Sequence, residues 1–195
     1  VRSRGLGDVY KRHLVRLAKN GGKGAAVIAG LYVADNMNFT HAIQIDADGQ
    51  HDLAAVTDFL DQARHNPQAL VCGYPVYDQT VPLARLWGRE LTNFWVHVNT
   101  RSKALKDAMC GFRVYPIAQT LPVLPSVRTR RMDFDPDIAV RLLWAGVPVI
   151  NRPVRVTYPK DGISHFRGFS DNMRISRLHA GHFCTMLLRR MGLAK

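Results

Sequence analysis

The sequence predicts an α/β protein, a mainly parallel sheet flanked by helices. Short β-branched runs bounded by turn residues alternate with longer stretches whose apolar residues recur at helical spacing. No internal repeat or low-complexity segment interrupts that alternation. A length of 195 residues fits one domain, and a hydrophobic content of 47% supports a sizeable core rather than disorder.

Residues 1–12 are basic and glycine-punctuated, with little to anchor them. His13 to Ala18 fits either period: Leu14, Leu17 and Ala18 share a helical face, while Val15 and Leu17 alternate as in a strand. The cluster Asn20-Gly21-Gly22-Lys23-Gly24 that follows favours a short strand entering a turn. Residues 25–33 read as a helix with Val27, Leu31 and Ala34 on one face. Backbone N–H groups at such a helix start, with Lys23 beside them, suit a phosphate. The segment is not a P-loop, because Gly24 stands where Ser or Thr would hold the metal. An ordinary strand-to-helix turn explains it equally well.

The run Ala42-Ile43-Gln44-Ile45 stops at Asp46-Ala47-Asp48-Gly49-Gln50-His51-Asp52. At a strand end, residues i and i+2 point the same way, and a bend at Gly49 lets Asp46 and Asp48 converge on one hard divalent cation. Mg²⁺ or Mn²⁺ favours such carboxylates together with substrate phosphate oxygens. A strand followed by an acidic turn, with Asp52 capping a helix, is the plain alternative. That helix runs over 52–64 with Val56, Phe59, Leu60 and Ala63 as its buried stripe. Residues 69–74 form a buried strand. Pro82 starts a helix to about Thr100 carrying Leu83, Leu86, Leu91, Phe94, Trp95 and Val98. Residues 111–115 are a strand entered through a loop. Asp135-Pro136 opens a helix (Ile138, Arg141, Leu142, Ala145) ending at Gly146. Two strands, 147–150 and 154–158, precede a last helix capped by Asp171.

A net charge of +12, from 27 Lys+Arg against 15 Asp+Glu, favours polyanionic partners: nucleic acid, an anionic membrane or phosphorylated substrates. No aromatic-rich RNA-recognition strand or helix-turn-helix pattern supports nucleic acid. The three cysteines, Cys72, Cys110 and Cys184, form neither a zinc motif nor a disulfide framework, so a reducing, cytoplasmic compartment is expected. No apolar run is long enough to span a bilayer.

Four motifs follow in order: Asn20-Gly-Gly-Lys-Gly-Ala25, Asp46-Ala-Asp-Gly-Gln-His51, Asp107-Ala-Met-Cys-Gly-Phe-Arg113 and Met132-Asp-Phe-Asp-Pro-Asp137 leading to Arg141. Over about residues 14–160 this set resembles the inverting family-2 glycosyltransferases of GT-A fold. It is most similar to the branch transferring sugars to dolichyl and polyprenyl phosphates. The resemblance implies a nucleotide-diphosphate sugar donor, a lipid-linked or other hydroxyl or phosphate acceptor, and Mg²⁺ or Mn²⁺. Asp46 and Asp48 would be the DxD metal ligands, Asp48 the more direct. Lys23, Gly22, Gly24 and Gln50 would serve the donor, and Gly111, Phe112 and Arg113 the acceptor side. A base is implied among Asp133, Asp135 and Asp137: the distance to Arg141 favours Asp135, which is preferred, while the polyprenyl-phosphate branch matches Asp133 better. Helix-dipole complementation accounts for at least one of the three. A phosphate acceptor, already ionised, would need no strong base.

The resemblance also implies a strand and an acidic nucleotide-binding turn before Gly21. Residues 1–19 hold neither, so a truncated start and weak donor binding are expected. The transferase domain is expected over 1–168. Its loop 158–167, with Lys160, His165 and Arg167, would close on donor phosphates. A basic amphipathic helix over 169–195 carries Ile175, Leu178, His182, Phe183, Met186 and Leu187 on one face, among Arg174, Arg177, Arg189 and Arg190. It could rest peripherally on an anionic leaflet or pack on the body. His179 and His182, with no third ligand evident, read as core or surface histidines. A nucleotidyltransferase of similar fold and an inactive transferase-like protein are the alternatives.

Overall fold

The computed structural model describes residues 15–77, 81, 83–157 and 168–193. Its helices are α1 (Lys23–Asn36), α2 (Val56–His65), α3 (Leu83–Thr100), the short α4 (Ile117–Thr120), α5 (Phe134–Trp144) and α6 (Gly168–Arg190). The strands are β1 (His41–Gln44), β2 (Leu70–Tyr77), β3 (Arg113–Pro116) and β4 (Val149–Val156), in the order β1-β3-β2-β4.

The α/β class is as expected, but the sheet is mixed. β3 runs antiparallel to both its neighbours, and among the described residues β2 and β4 are the one parallel neighbouring pair. The chain enters β3 at the end where β1 stops, with Gln44 opposite Arg113. The loop 101–112 is anchored there by Asp107 and Arg113 instead of crossing back over the sheet. The described residues 15–18 form no strand, and Val15 and Leu17 are exposed. The two expected late strands are one, β4. Its Pro153 interrupts nothing because β4 is an edge strand.

Alternation along β2 divides the core. Leu70 and Cys72 face a cluster with Leu31, Val96, Tyr115, Phe134, Ile138 and Leu142, beneath α1, α3 and α5. Val71 faces the other side, with Phe59, Ala63, Phe112, Val114 and Val154 beneath α2. Leu60 is exposed, which narrows the expected α2 stripe to Val56, Phe59 and Ala63. Asp52 does cap this segment, accepting from Ala54 N at 2.9 Å over a turn of 3₁₀ helix, Leu53–Ala55.

α3 departs most from expectation. Leu91 and Phe94 face outward, and the buried side is Thr92, Asn93, Val96 and Asn99. The cause is polar: Asn93 Oδ1 accepts from Ala108 N at 2.9 Å, and Arg89 donates to both Asp107 oxygens, so α3 spends its inner face holding the loop before β3.

α6 packs on α3 and α5 through Ile175, His179 and His182, all buried. His182 Nε2 lies 2.9 Å from Asp137 Oδ1, and its ring meets Trp144 edge-on at 5.2 Å. Asn99 Nδ2 reaches both the ring and the carbonyl of His179 at 3.4 Å. Burial, aided by His182 nearby, pulls the His179 pKa down to about 4. A histidine whose folded pKa is depressed costs stability as pH falls from its unfolded value, 6.5, towards 4, where the unfolded chain binds the extra proton. The loss reaches about 3 kcal/mol at the acid end. Thermal melts of wild type and His179→Asn between pH 7.5 and 4 are expected to converge on acidification. Parallel curves would mean that His179 does not titrate in this window.

Candidate active site

The site begins where β1 runs out. Beyond Gln44 the chain turns through Asp46–Gly49, with Gly49 at φ 72° in the left-handed region. Gln50 N donates to Asp48 Oδ1 at 3.1 Å, while Thr157 N and Asp52 N tie the turn to the end of β4. Asp48 is left exposed at the rim, and Asp46 lies half-buried behind it.

Lys23, the first residue of α1, reaches across to that turn. Its Nζ stands 2.7 Å from Asp46 Oδ1, 2.8 Å from Asp46 Oδ2 and 2.5 Å from Asp135 Oδ2. Asp135 lies in the first turn of α5 and is 2% exposed. Its other oxygen accepts from Gln44 Nε2 at 3.0 Å, and Gln44 Oε1 in turn accepts from Tyr115 Oη at 2.9 Å. Burial opposes ionisation of both partners. It is outweighed at Lys23 by the two carboxylates, which hold the ammonium above its ordinary pKa. At Asp135 the Lys23 and Arg113 charges and the two hydrogen bonds hold the carboxyl below its ordinary range.

The motif glycines permit this closeness. A Cβ at Gly111 would overlap the Asp46 carboxylate. Cβ atoms at Gly22 and Gly24 would strike Arg130 and Phe134, at the approach to α5. Among the described residues these glycines therefore bring backbones together around Lys23, Asp46 and Asp135.

Phe112 and Arg113 are wholly buried, and neither offers its side chain to solvent. The Arg113 guanidinium donates to Cys110 O, Asp135 O and Ala108 O at 2.9, 2.8 and 2.6 Å, clamping the loop before β3 to the start of α5. Phe112 lies edge-on to Phe59 and His51. Asp133 sits half-buried just before α5, its Oδ1 accepting from Arg131 N at 3.1 Å. Asp137 points away to α6, accepting from His182, Arg141 and Thr129. Of the three acidic candidates, Asp135 is the one that bonds Lys23. Arg167 lies outside the described residues, as does the rest of 158–167.

Two members were missed from the sequence: Gln44, a polar residue inside an apolar strand, and Tyr115. Gln44 stands two residues before Asp46, so strand alternation could have placed it on the site's side. His51, half-buried beside Phe112, has no partner for Nδ1 among the described residues. The described residues hold no group of three or more His, Cys, Asp or Glu arranged for a metal. The carboxylates of this turn are Asp46, whose two oxygens both bond Lys23 Nζ, and Asp48, whose Oδ1 accepts from Gln50 N. Asp48 alone of the two keeps an oxygen exposed at the rim with no partner among the described residues, the kind of hard ligand an ion completing its shell with substrate oxygens and water would take.

No family model matches the chain. It aligns at 24% identity over 172 residues with a protein named dolichyl-phosphate beta-glucosyltransferase from Dictyostelium discoideum. The chain is a distant homologue of a glycosyltransferase. The match covers 84% of this chain and 51% of that protein, so the chain spans about half of its relative's length.

Removing the ammonium would strand two carboxylates, one fully buried. Lys23→Met is expected to destabilise the fold by about 3 kcal/mol, as does loss of one partner from other buried ion pairs. Asp135→Asn in the same chain should restore part of that loss, with a coupling of at least about 1 kcal/mol in urea unfolding. Strict additivity would mean that the two groups do not interact in solution.

Proposed function

We propose that the protein is a metal-dependent, inverting glycosyltransferase that moves a sugar from a nucleotide-diphosphate donor to a lipid-linked phosphate acceptor. The observation that carries this reading is the Lys23 bridge. It joins three of the motifs, the glycine-lysine turn, the DxD turn and the acidic start of α5, and Gly111 of the fourth is pressed against Asp46. Distant homology to a sugar transferase supports the same class.

In this reading Asp48, exposed at the rim, would hold Mg²⁺ or Mn²⁺ with Asp46 behind it, and the ion would neutralise charge on the donor diphosphate. Lys23, paired with Asp46 and Asp135, fixes the carboxylate that stands behind Asp48. The acceptor oxygen forms a bond to the anomeric carbon from the opposite face, the bond to the diphosphate oxygen breaks, and the nucleoside diphosphate leaves with the electron pair. A carboxylate held below its ordinary range, as Asp135 is, is a weak base, poorly matched to deprotonating a hydroxyl near neutral pH. A phosphate acceptor is already ionised and brings no proton that must be removed. Asp135 then serves to fix Lys23 and Gln44. The acceptor side is shaped by the loop that Arg113 and Asp107 hold.

A thermal-shift series with UDP, GDP and their sugars, with and without Mn²⁺, tests this. One nucleotide at a hundredfold excess over its Kd should raise Tm by about 5–10 °C in the presence of metal. Asp48→Asn, at an exposed position, should keep the parent Tm yet lose the metal-dependent shift. The absence of any nucleotide shift in the wild type would overturn the reading, and a shift with nucleoside triphosphates in its place would favour nucleotidyl transfer.

A further inference from the structure

Between α3 and α6 lies a groove of about 510 Å³, with a small residue on each side, Gly88 of α3 and Ala180 of α6. Gly88 stands inside the helix without a positive φ, and a Cβ there would meet no atom within 4 Å. Neither backbone conformation nor packing therefore calls for glycine, although alanine would favour the helix by about 1 kcal/mol. What the missing side chain leaves is room.

Beside that room stands an unspent donor. His179 lines the groove, is 3% exposed, and its Nε2 has no partner among the described residues. The tautomer follows from Asn99. Its Nδ2 reaches the His179 carbonyl oxygen, which can only accept, and the same amide nitrogen lies 3.4 Å from His179 Nδ1. Nδ1 therefore accepts, and the ring proton stands on Nε2. Burial keeps the ring neutral, with its pKa drawn down to about 4. A buried N–H without an acceptor costs about 1–3 kcal/mol, which a ligand oxygen would recover.

The remaining lining sets the ligand's chemistry. Trp95 contributes an apolar ring, Leu91 and Ile175 aliphatic surface, and Thr92, Asn172 and Ser176 polar groups. Thr92 Oγ1 donates to Gly88 O at 3.0 Å and is left as an acceptor, while Asn172 and Ser176 can both donate and accept. No described residue lining the groove is charged. An anion would find no cation there and no proton to give Thr92, and an alkyl chain would leave His179 and Thr92 unmatched. A sugar ring has the required pattern: hydroxyls that donate and accept, around a body of C–H groups suited to an aromatic wall.

We propose that the α3–α6 groove binds an uncharged sugar residue, with Trp95 against its C–H surface and Asn172, Ser176 and His179 on its hydroxyls. Lys23, Asp46, Asp48 and Asp135 do not line the groove, so sugar binding here is independent of the transferase reading.

The test is NMR of the whole chain, isotope-labelled at the histidine and tryptophan ring nitrogens and titrated with methyl glucoside, methyl mannoside, methyl galactoside and N-acetylglucosamine. At least one is expected to move the His179 and Trp95 signals saturably, in the millimolar range. Gly88→Leu fills the groove and replaces a helical glycine, so it should keep or raise Tm yet abolish the shifts. Asn172→Ala, at an exposed position, should weaken binding about tenfold, the worth of one hydrogen bond. Asp48→Asn should bind sugar as wild type does. The proposal is overturned if no sugar moves these signals, if Gly88→Leu binds like wild type, or if Asp48→Asn abolishes binding and so places the sugar in the other site. Hexanol moving the same signals as tightly as the sugars would also overturn it, by making the groove an apolar slot with no use for the His179 donor.

Discussion

One ammonium group organises this fold. Lys23 leaves water to sit between Asp46 and Asp135, and an ion so placed is tolerable only while both carboxylates stay within contact. The three residues come from the start of α1, the end of β1 and the start of α5, segments that local propensity alone would leave apart. The approach of those backbones is what demands glycine at 22, 24 and 111, where a single methyl group would strike a neighbour. Charge sets the meeting point, and small residues make it sterically accessible.

The short acidic run at the head of α5 serves two directions at once. Residues two apart on a helix point to nearly opposite sides, so Asp135 enters the site while Asp137 turns to α6. There it accepts from His182, Arg141 and Thr129, and burial of its charge is offset by those donors. Helix α6 is therefore held by a polar contact that begins two residues from the candidate catalytic carboxylate.

The α/β class, the helix boundaries near α1, α3 and α5, and the strand ending at the DxD turn were legible because each rests on local signals: period, caps and glycines. The sheet order was not, since antiparallel insertion of β3 depends on where the loop 101–112 is anchored. The α3 stripe misled for a related reason. Asn93 and Asn99 lie outside the expected apolar stripe, yet Asn93 bonds loop backbone and Asn99 reaches His179. Asp46 and Asp135 could be named from motif resemblance, but their joint hold on Lys23 could not, because it is a contact between residues 23, 46 and 135 that no spacing encodes. Gln44 and Tyr115 were missed for the same reason, since their chain of bonds to Asp135 joins residues 44, 115 and 135.

The central place of β3 has a consequence for biosynthesis. Its two neighbours leave the ribosome roughly 40 to 70 residues before it, yet β1 finds no described partner until β3 arrives. Until then Lys23 and Asp46 remain hydrated, and Asp135 is still further behind. Such distant pairings defer their reward until long loops have closed. The site is therefore among the last parts of the molecule to exist. A nascent chain lacking residues past Asp135 would have the DxD turn in its sequence but not in its shape.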